Sequence, residues 1–172
     1  CVVVGRDVRL ESPMLARALI EGLNAGGANV VDIGLCGTEE IYFQTFHRES
    51  QGVGGGIMIT ASHNPKGYNG MKLVRESSRP ISGDTGLNAI RDQAAYLLAT
   101  LAEARARDGV PVAAKTVVDT DKSAYIAHLL SYVDRAQLKP LKIVVNPGNG
   151  GAGPVTRLLE KQLPFELIYV NE

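Results

Sequence analysis

The sequence predicts an α/β fold: a mixed, mainly parallel sheet with helices on both faces, followed by the start of a second, similar unit. Three observations carry this. Short apolar runs at Val2–Val4, Asn29–Ile33 and Ile57–Ile59 alternate with helical segments, as buried parallel strands do. Asn69-Gly70 stands between two apolar runs and reads as a hairpin turn, which makes one strand antiparallel. Cys1–Gly34 and Leu141–Glu172 share a strand–loop–helix–strand layout, a weak internal repeat.

The elements follow in order. After the Val2 strand, Ser12-Pro13 supplies a helix cap and a first-turn proline. Leu15, Ala18, Leu19, Gly22 and Leu23 recur at helical spacing, and Gly26-Gly27 ends that helix. Thr38 caps a second helix with Glu39 and Glu40 in its first turn, where the dipole favours them. Gly52–Gly56 leads into the Ile57 strand, and Met71–Val74 returns beside it. Leu87, Ile90, Ala94, Leu97 and Leu101 mark a long amphipathic helix. Residues 1–104 make the first domain on this reading. Residues 105–118, with Gly109 and Pro111, read as a linker, and Arg105 and Arg107 as its solvated charges. Residues 119–172 begin a second domain: a helix from Asp121 bearing Tyr125, Ile126, Leu129, Leu130 and Val133, then a strand at Leu141–Val145, a short helix from Pro154 and a strand at Phe165–Val170.

Lys plus Arg and Asp plus Glu are 18 each, so no global field favours nucleic acid or an acidic membrane, and any anion site is local. Aromatic content is 5% with no Trp, which argues against a stacking platform for bases. Cys1 and Cys36 are too few for a disulfide framework and lack metal-ligand spacing. No apolar run approaches the roughly 18 residues of a membrane span, and no signal peptide opens the chain. A cytoplasmic setting is expected. The chain begins inside a strand and stops just after another, so a piece of a longer protein is expected.

Thr60-Ala61-Ser62-His63-Asn64-Pro65 is the most informative stretch. Ser62 lies where a strand gives way to a Gly/Asn/Pro-rich loop, a frequent place for chemistry in α/β proteins. A serine hydrolase fits poorly. Ser62 and His63 are neighbours that an extended chain points to opposite faces, and the Gly-x-Ser-x-Gly elbow is missing. Phosphoryl transfer fits better, because a serine that accepts phosphate needs exposure and nearby cations. Lys72 returns across the turn, and Arg6 and Arg9 follow the first strand, on the same sheet edge. His63 is placed to orient phosphate or sugar hydroxyls, and Lys72 to act as general acid/base. The plainer alternative stays open here: Asn64-Pro65 and Asn69-Gly70 are ordinary turn formers, and a lone serine usually serves structure. His47 and His128 lie within helices and read as structural.

Thr60–Pro65 followed by Tyr68-Asn69-Gly70-Met71-Lys72 resembles the active-site loop of the α-D-phosphohexomutases. Gly5-Arg6-Asp7-Val8-Arg9 resembles the segment after that family's early strand. Gly37–Phe43 and Pro80–Leu87 are most similar to the bacterial phosphomannomutase branch. The resemblance implies a four-domain isomerase whose first three domains share a mixed α/β core. It implies that Ser62 is phosphorylated, donates to a sugar monophosphate, and is recharged through a sugar 1,6-bisphosphate, which also serves as activator. Mannose 6-phosphate and mannose 1-phosphate are the expected pair, supplying sugar nucleotides; glucose or glucosamine phosphates are the alternative. The resemblance makes Ser62, Lys72 and His63 the catalytic set and Arg6, Arg9 and Asn64 support for substrate or phosphate. Mg2+ is implied as cofactor, with Ser62, through its phosphate, the one metal-contacting position. The implied partners are a phosphosugar substrate and the remaining domains of a parent protein, with neither nucleic acid nor membrane.

Three expected parts are absent: the family's Asp-x-Asp-x-Asp-Arg metal loop, its sugar-selecting loop and its phosphate-binding fourth domain. Little mutase turnover is therefore expected from these residues alone. A rival of another class rests on Gly148-Asn149-Gly150-Gly151-Ala152-Gly153, which matches Gly-x-Gly-x-x-Gly between a strand and a helix. Glu172 stands after the next strand, where a ribose-binding carboxylate belongs. On that reading the chain is a nucleotide- or phosphate-binding module. A third reading is a non-catalytic remnant that binds phosphosugars or a partner.

Overall fold

β1 (Val2–Arg6) is the centre of a six-stranded sheet in the computed structural model, which describes residues 1–104 and 113–172. β2 (Val30–Leu35) and β3 (Gly55–Ile59) flank it, both parallel to it. β4 (Met71–Arg75) runs antiparallel beside β3, and the short β5 (Arg79–Pro80) completes that edge. β6 (Thr116–Val118) pairs parallel to β2 at the other edge, giving the order β5-β4-β3-β1-β2-β6. This is the mixed, mainly parallel sheet that the sequence predicts.

Neighbouring residues of β1 face opposite ways, and each founds a core. Val3 packs with Ile33, Ile41, Met58 and Val74 beneath α2 (Thr38–His47). Val4 packs with Ala16, Val30 and Ile59 beneath α1 (Ser12–Ala25). A Cβ at Gly5 would lie 2.4 Å from Cys36 Sγ and 2.9 Å from Ile41 Cδ1, so glycine lets the α2 layer close on the central strand.

Two helix starts differ from expectation. Ser12 is the first residue of α1, and its hydroxyl donates to Asp7 Oδ1 at 2.5 Å instead of capping. A carboxylate acceptor makes the stronger, charge-assisted bond. Gly37, in extended conformation, precedes α2, and Thr38 is already helical. α3 (Leu87–Ala104) forms as predicted, but its apolar stripe stays outside, with Ile90, Leu97 and Leu98 exposed. Its chief neighbour is the turn Gly83–Thr85, so α1 and α2 cover the sheet.

The linker expectation needs correction at its end. Arg105, Arg107, Gly109 and Pro111 lie outside the described residues, whereas Thr116–Val118 is edge strand β6. Three residues are too few to show an alternation. α4 (Ser123–Leu130), read from sequence as part of the second unit, packs against α2 of the first and also against the helix Ala152–Glu160 of the second. Tyr125 and Ile126 are buried, and the Phe43 ring of α2 lies 5.3 Å from Tyr125 and 4.8 Å from His128. His47 stacks on the same ring at 4.9 Å. Lys122 Nζ donates to both Glu40 oxygens at 2.8 Å and to the Leu35 carbonyl at 2.9 Å. The Glu40 side chain is 2% exposed, so this ion pair fastens α4 to the first unit.

β7 (Leu141–Val145), α5 (Ala152–Glu160) and β8 (Phe165–Tyr169) form a second, two-stranded parallel sheet with its crossover helix. The layout is that of β1–α1–β2. Among the described residues no helix is long and apolar enough to cross a membrane.

Candidate active site

From β1 the chain crosses to β2 on one side, while β3, on the other side, leads on to β4. The loops that leave the carboxyl ends of β1 and β3 therefore diverge and open a crevice, the usual binding position of open α/β sheets. The loop after β1 is Asp7–Glu11, and the loop after β3 is Thr60–Gly70. The second is closed by Thr60 N–H donating to the Gly70 carbonyl at 2.9 Å, so Asn69-Gly70 ends the loop where predicted.

Ser62 stands exposed at the start of this loop with φ 54°, in the left-handed region. Its N–H donates to Thr60 Oγ1 at 2.9 Å. Asp7 accepts from Ser12 Oγ and, at 3.1 Å, from the Arg9 N–H. Burial pushes the Asp7 carboxyl up, but the bonds from Ser12, Arg9 and Thr60, with the Arg9 charge, outweigh it and hold it below the ordinary carboxylate value.

Arg9 braces the loop. Nη2 donates to the carbonyls of Ser62 at 3.0 Å and Asn64 at 2.6 Å, and Nη1 to those of Pro65 at 2.9 Å and Tyr68 at 3.3 Å. Nε lies 3.4 Å from Asp7 Oδ2. A guanidinium has five N–H donors, and the four on Nη1 and Nη2 are used on these carbonyls. Sequence reasoning gave Arg9 a phosphate-supporting role; the structure gives it the loop's backbone. Arg6 departs from expectation too. It faces α1, with Nη1 3.4 Å from Asp32 Oδ1, in a groove with Pro13 and Arg17.

His63 Nδ1 lies 3.4 Å from Ser62 Oγ. The left-handed turn at Ser62 brings together two side chains that an extended chain would separate. His63 has no carboxylate partner among the described residues, so the arrangement is not a hydrolase triad. Lys72 is exposed on β4, opposite Met58, and makes no ion pair among the described residues.

Ser62 and Asn64 open onto a cleft of about 870 Å³. Its floor and near wall are Thr60 and the Asp7–Glu11 loop, and Lys66 and Gly67 line its rim. Lys72, Arg6 and His63 are not among its lining residues. Gly148–Gly151 form the opposite wall, so the two loops that the sequence offered as rivals face one cleft. Lys66 is the lining residue that sequence reasoning missed, because turn composition hid it.

The glycine loop is mostly spoken for. The N–H groups of Gly148, Asn149 and Gly150 donate to Asn146 Oδ1 at 3.0 Å, the Asn171 carbonyl at 2.6 Å and the Pro147 carbonyl at 3.0 Å. Glu172, the would-be ribose ligand, takes Arg157 Nε at 2.7 Å and Nη2 at 2.5 Å. A Cβ at Gly151 would sit 2.9 Å from the Cys36 carbonyl oxygen, so this glycine serves the seating of α5 on the first unit. These commitments occupy three of the loop's N–H groups and the carboxylate on which a dinucleotide would draw.

Among the described residues no three His, Cys, Asp or Glu side chains cluster to hold a cation. Asp7, the carboxylate lining the cleft beside Thr60, is committed to Ser12 and Arg9. The described residues do not build a magnesium site by themselves.

Fold and loop together define an α/β protein that presents a serine at the switch point of a mixed sheet. Residues 1–99 match the family model described as phosphoglucomutase/phosphomannomutase, α/β/α domain I, and the chain belongs to that family. It is 60% identical over 169 residues to phosphohexose mutases of Xanthomonas campestris pv. campestris, covering 98% of this chain and 35% of that protein. It is 50% identical over 175 residues to a phosphomannomutase of Vibrio cholerae, covering 99% of this chain and 35% of that one. The crystal structure of a phosphoglucomutase/phosphomannomutase family protein from Burkholderia thailandensis matches with a TM-score of 0.72 at 32% identity, over 99% of this chain and 35% of that one. The chain thus spans 35% of the length of these relatives.

Proposed function

We propose that these residues are the phosphoserine-bearing part of a phosphohexomutase, an isomerase that exchanges a phosphoryl group between the 6- and 1-positions of a hexose. One observation carries this reading: Ser62 is exposed at the mouth of the cleft on a corner whose backbone Arg9 holds. A rigid, accessible hydroxyl suits repeated acceptance and release of a phosphoryl group, where catalysis is mainly positioning and charge.

In this reading Ser62 Oγ attacks phosphorus of a sugar 1,6-bisphosphate. The Oγ–P bond forms as the P–O bond to the sugar breaks. The serine proton leaves and the sugar oxygen gains one. Lys72 exchanges these protons as general acid/base, reaching over from β4, and His63 orients the phosphate or a sugar hydroxyl. Asn64 adds its amide to the cleft, and Arg9 positions the nucleophile. Mannose is the favoured sugar, because relatives in Vibrio, Salmonella and Escherichia coli carry the name phosphomannomutase. Glucose and glucosamine phosphates are the alternatives. The setting is cytoplasmic, the product feeds sugar-nucleotide synthesis, and magnesium is the expected metal once further ligands are supplied. Steady turnover by these 172 residues alone is expected to be slight.

Intact mass after incubation with mannose 1,6-bisphosphate tests the reading. A gain of one phosphoryl group, abolished in Ser62→Ala, is expected. A gain that persists in Ser62→Ala would place the acceptor elsewhere and defeat it.

A further inference from the structure

The cleft around Ser62 holds two cationic side chains, Arg9 and Lys66, and two anionic ones, Asp7 and Glu11. Arg9 has spent its donors on four carbonyls and its charge lies against Asp7. That pair is close to neutral, and the four Nη–H donors of Arg9 are taken. Lys66 differs: it is exposed and makes neither an ion pair nor a side-chain hydrogen bond among the described residues.

The backbone beneath Lys66 is fixed. Tyr68 N–H donates to the Pro65 carbonyl at 3.2 Å, closing a four-residue turn. Gly67, with φ 89°, takes the left-handed third position of that turn, and Lys66 takes the second. Arg9 holds the carbonyls of Asn64 and Pro65 on one side of Lys66 and of Tyr68 on the other. The ammonium is thus a mobile head on a rigid corner, four residues from the nucleophile and lining the same cleft.

A phosphoryl group on Ser62 carries about −1.5 to −2 charges at neutral pH. We propose that Lys66 Nζ binds the transferring phosphoryl group, as the uncommitted cation of the cleft. It acts by charge and hydrogen bonding alone; it neither gives up nor takes a proton in the transfer. The inference rests on the reading of Ser62 as phosphoryl carrier, and its test separates the two.

The experiment follows the rate of phosphoryl gain by intact mass, with mannose 1,6-bisphosphate as the probe. Lys66→Ala is expected to slow labelling about tenfold, the size of one charge-assisted hydrogen bond in a partly wet site. Lys66→Glu is slower still, and Lys66→Arg stays within about threefold of the native rate, because either cation meets phosphate. Added salt slows the native chain more than Lys66→Ala. Thermal stability is expected to be unchanged, as the side chain is exposed. Labelling of Lys66→Ala and Lys66→Glu at the native rate, with Ser62→Ala blank, overturns the role of Lys66 alone. Labelling that survives in Ser62→Ala, or no labelling of the native chain, overturns the phosphoserine reading and this inference with it.

Discussion

Arg9 Nη2 donates to the carbonyl oxygen of Ser62 at 3.0 Å, across 53 residues of sequence. Through this bond the loop after β1 sets the backbone of the loop after β3. The position of Ser62 is thus set by the side chain of Arg9, which itself lines the cleft. Lysine could supply the charge but not the fork that reaches four carbonyls at once.

Replacing Arg9 by Lys or Ala is therefore expected to loosen residues 62–68 selectively. Amide exchange in that stretch should quicken at least tenfold, with a global loss of about 1–2 kcal/mol. Exchange-mass spectrometry with a denaturation curve checks this. Unchanged exchange in Arg9→Lys would show that charge, not the fork, holds the loop.

The Lys122–Glu40 pair is expected to behave as a unit. Lys122→Ala strands the Glu40 carboxylate in the interior and should cost about 3 kcal/mol, because breaking a buried pair leaves an uncompensated charge. The double change Lys122→Met with Glu40→Met should cost much less. Chemical denaturation of both variants decides, and equal losses would argue against coupling.

Burial pushes the Cys36 thiol up to about 12, with the Glu40 charge adding to the rise. Almost no thiolate exists near neutral pH, and the side chain is 1% exposed. A thiol reagent should therefore modify Cys1, which is exposed, and reach Cys36 only on unfolding. Two fast-reacting thiols in the native chain would contradict this.

Stability should peak in mildly acidic solution. Burial raises the Glu40 carboxyl above its ordinary 4.5, against the pull of Lys122. The folded chain then holds that proton more tightly, so stability grows as pH falls through the raised value towards 4.5. Asp7 and Asp119 behave oppositely. The bonds described above hold Asp7 below 3.8, and Arg48, donating at 2.8 Å, does the same for Asp119. Their contribution is full above 3.8 and disappears as pH falls through the depressed values. Thermal melts between pH 3 and 8 check the curve. Glu40→Gln should flatten its neutral limb and Asp7→Asn weaken its acid limb.

The sheet was readable because its central strands are unbroken apolar runs and Asn69-Gly70 announces the reversal. The serine loop stood out because turn residues crowd around one hydroxyl, but its reading as a site rested on its resemblance to the phosphohexomutase loop. What escaped was long-range or very short. Thr116–Val118 is recognisable as a strand only beside β2, and α4 reveals its partner only when Phe43, Glu40 and Lys122 meet. The protein partners of Arg6 and Arg9 were also beyond reach, because a cation near a site in sequence says nothing of which acceptors it meets in the fold. The glycine loop matched a nucleotide pattern, yet its geometry is used for close packing against Cys36.

Ser62 keeps a backbone twist, φ 54°, that glycine would tolerate better by about 1 kcal/mol. A glycine at this position should melt higher than an alanine there, and neither would carry phosphate. Folding alone would favour the smaller residue. On the proposed reading, the hydroxyl stands where chemical usefulness and mechanical comfort point in opposite directions, and the chain has settled for usefulness.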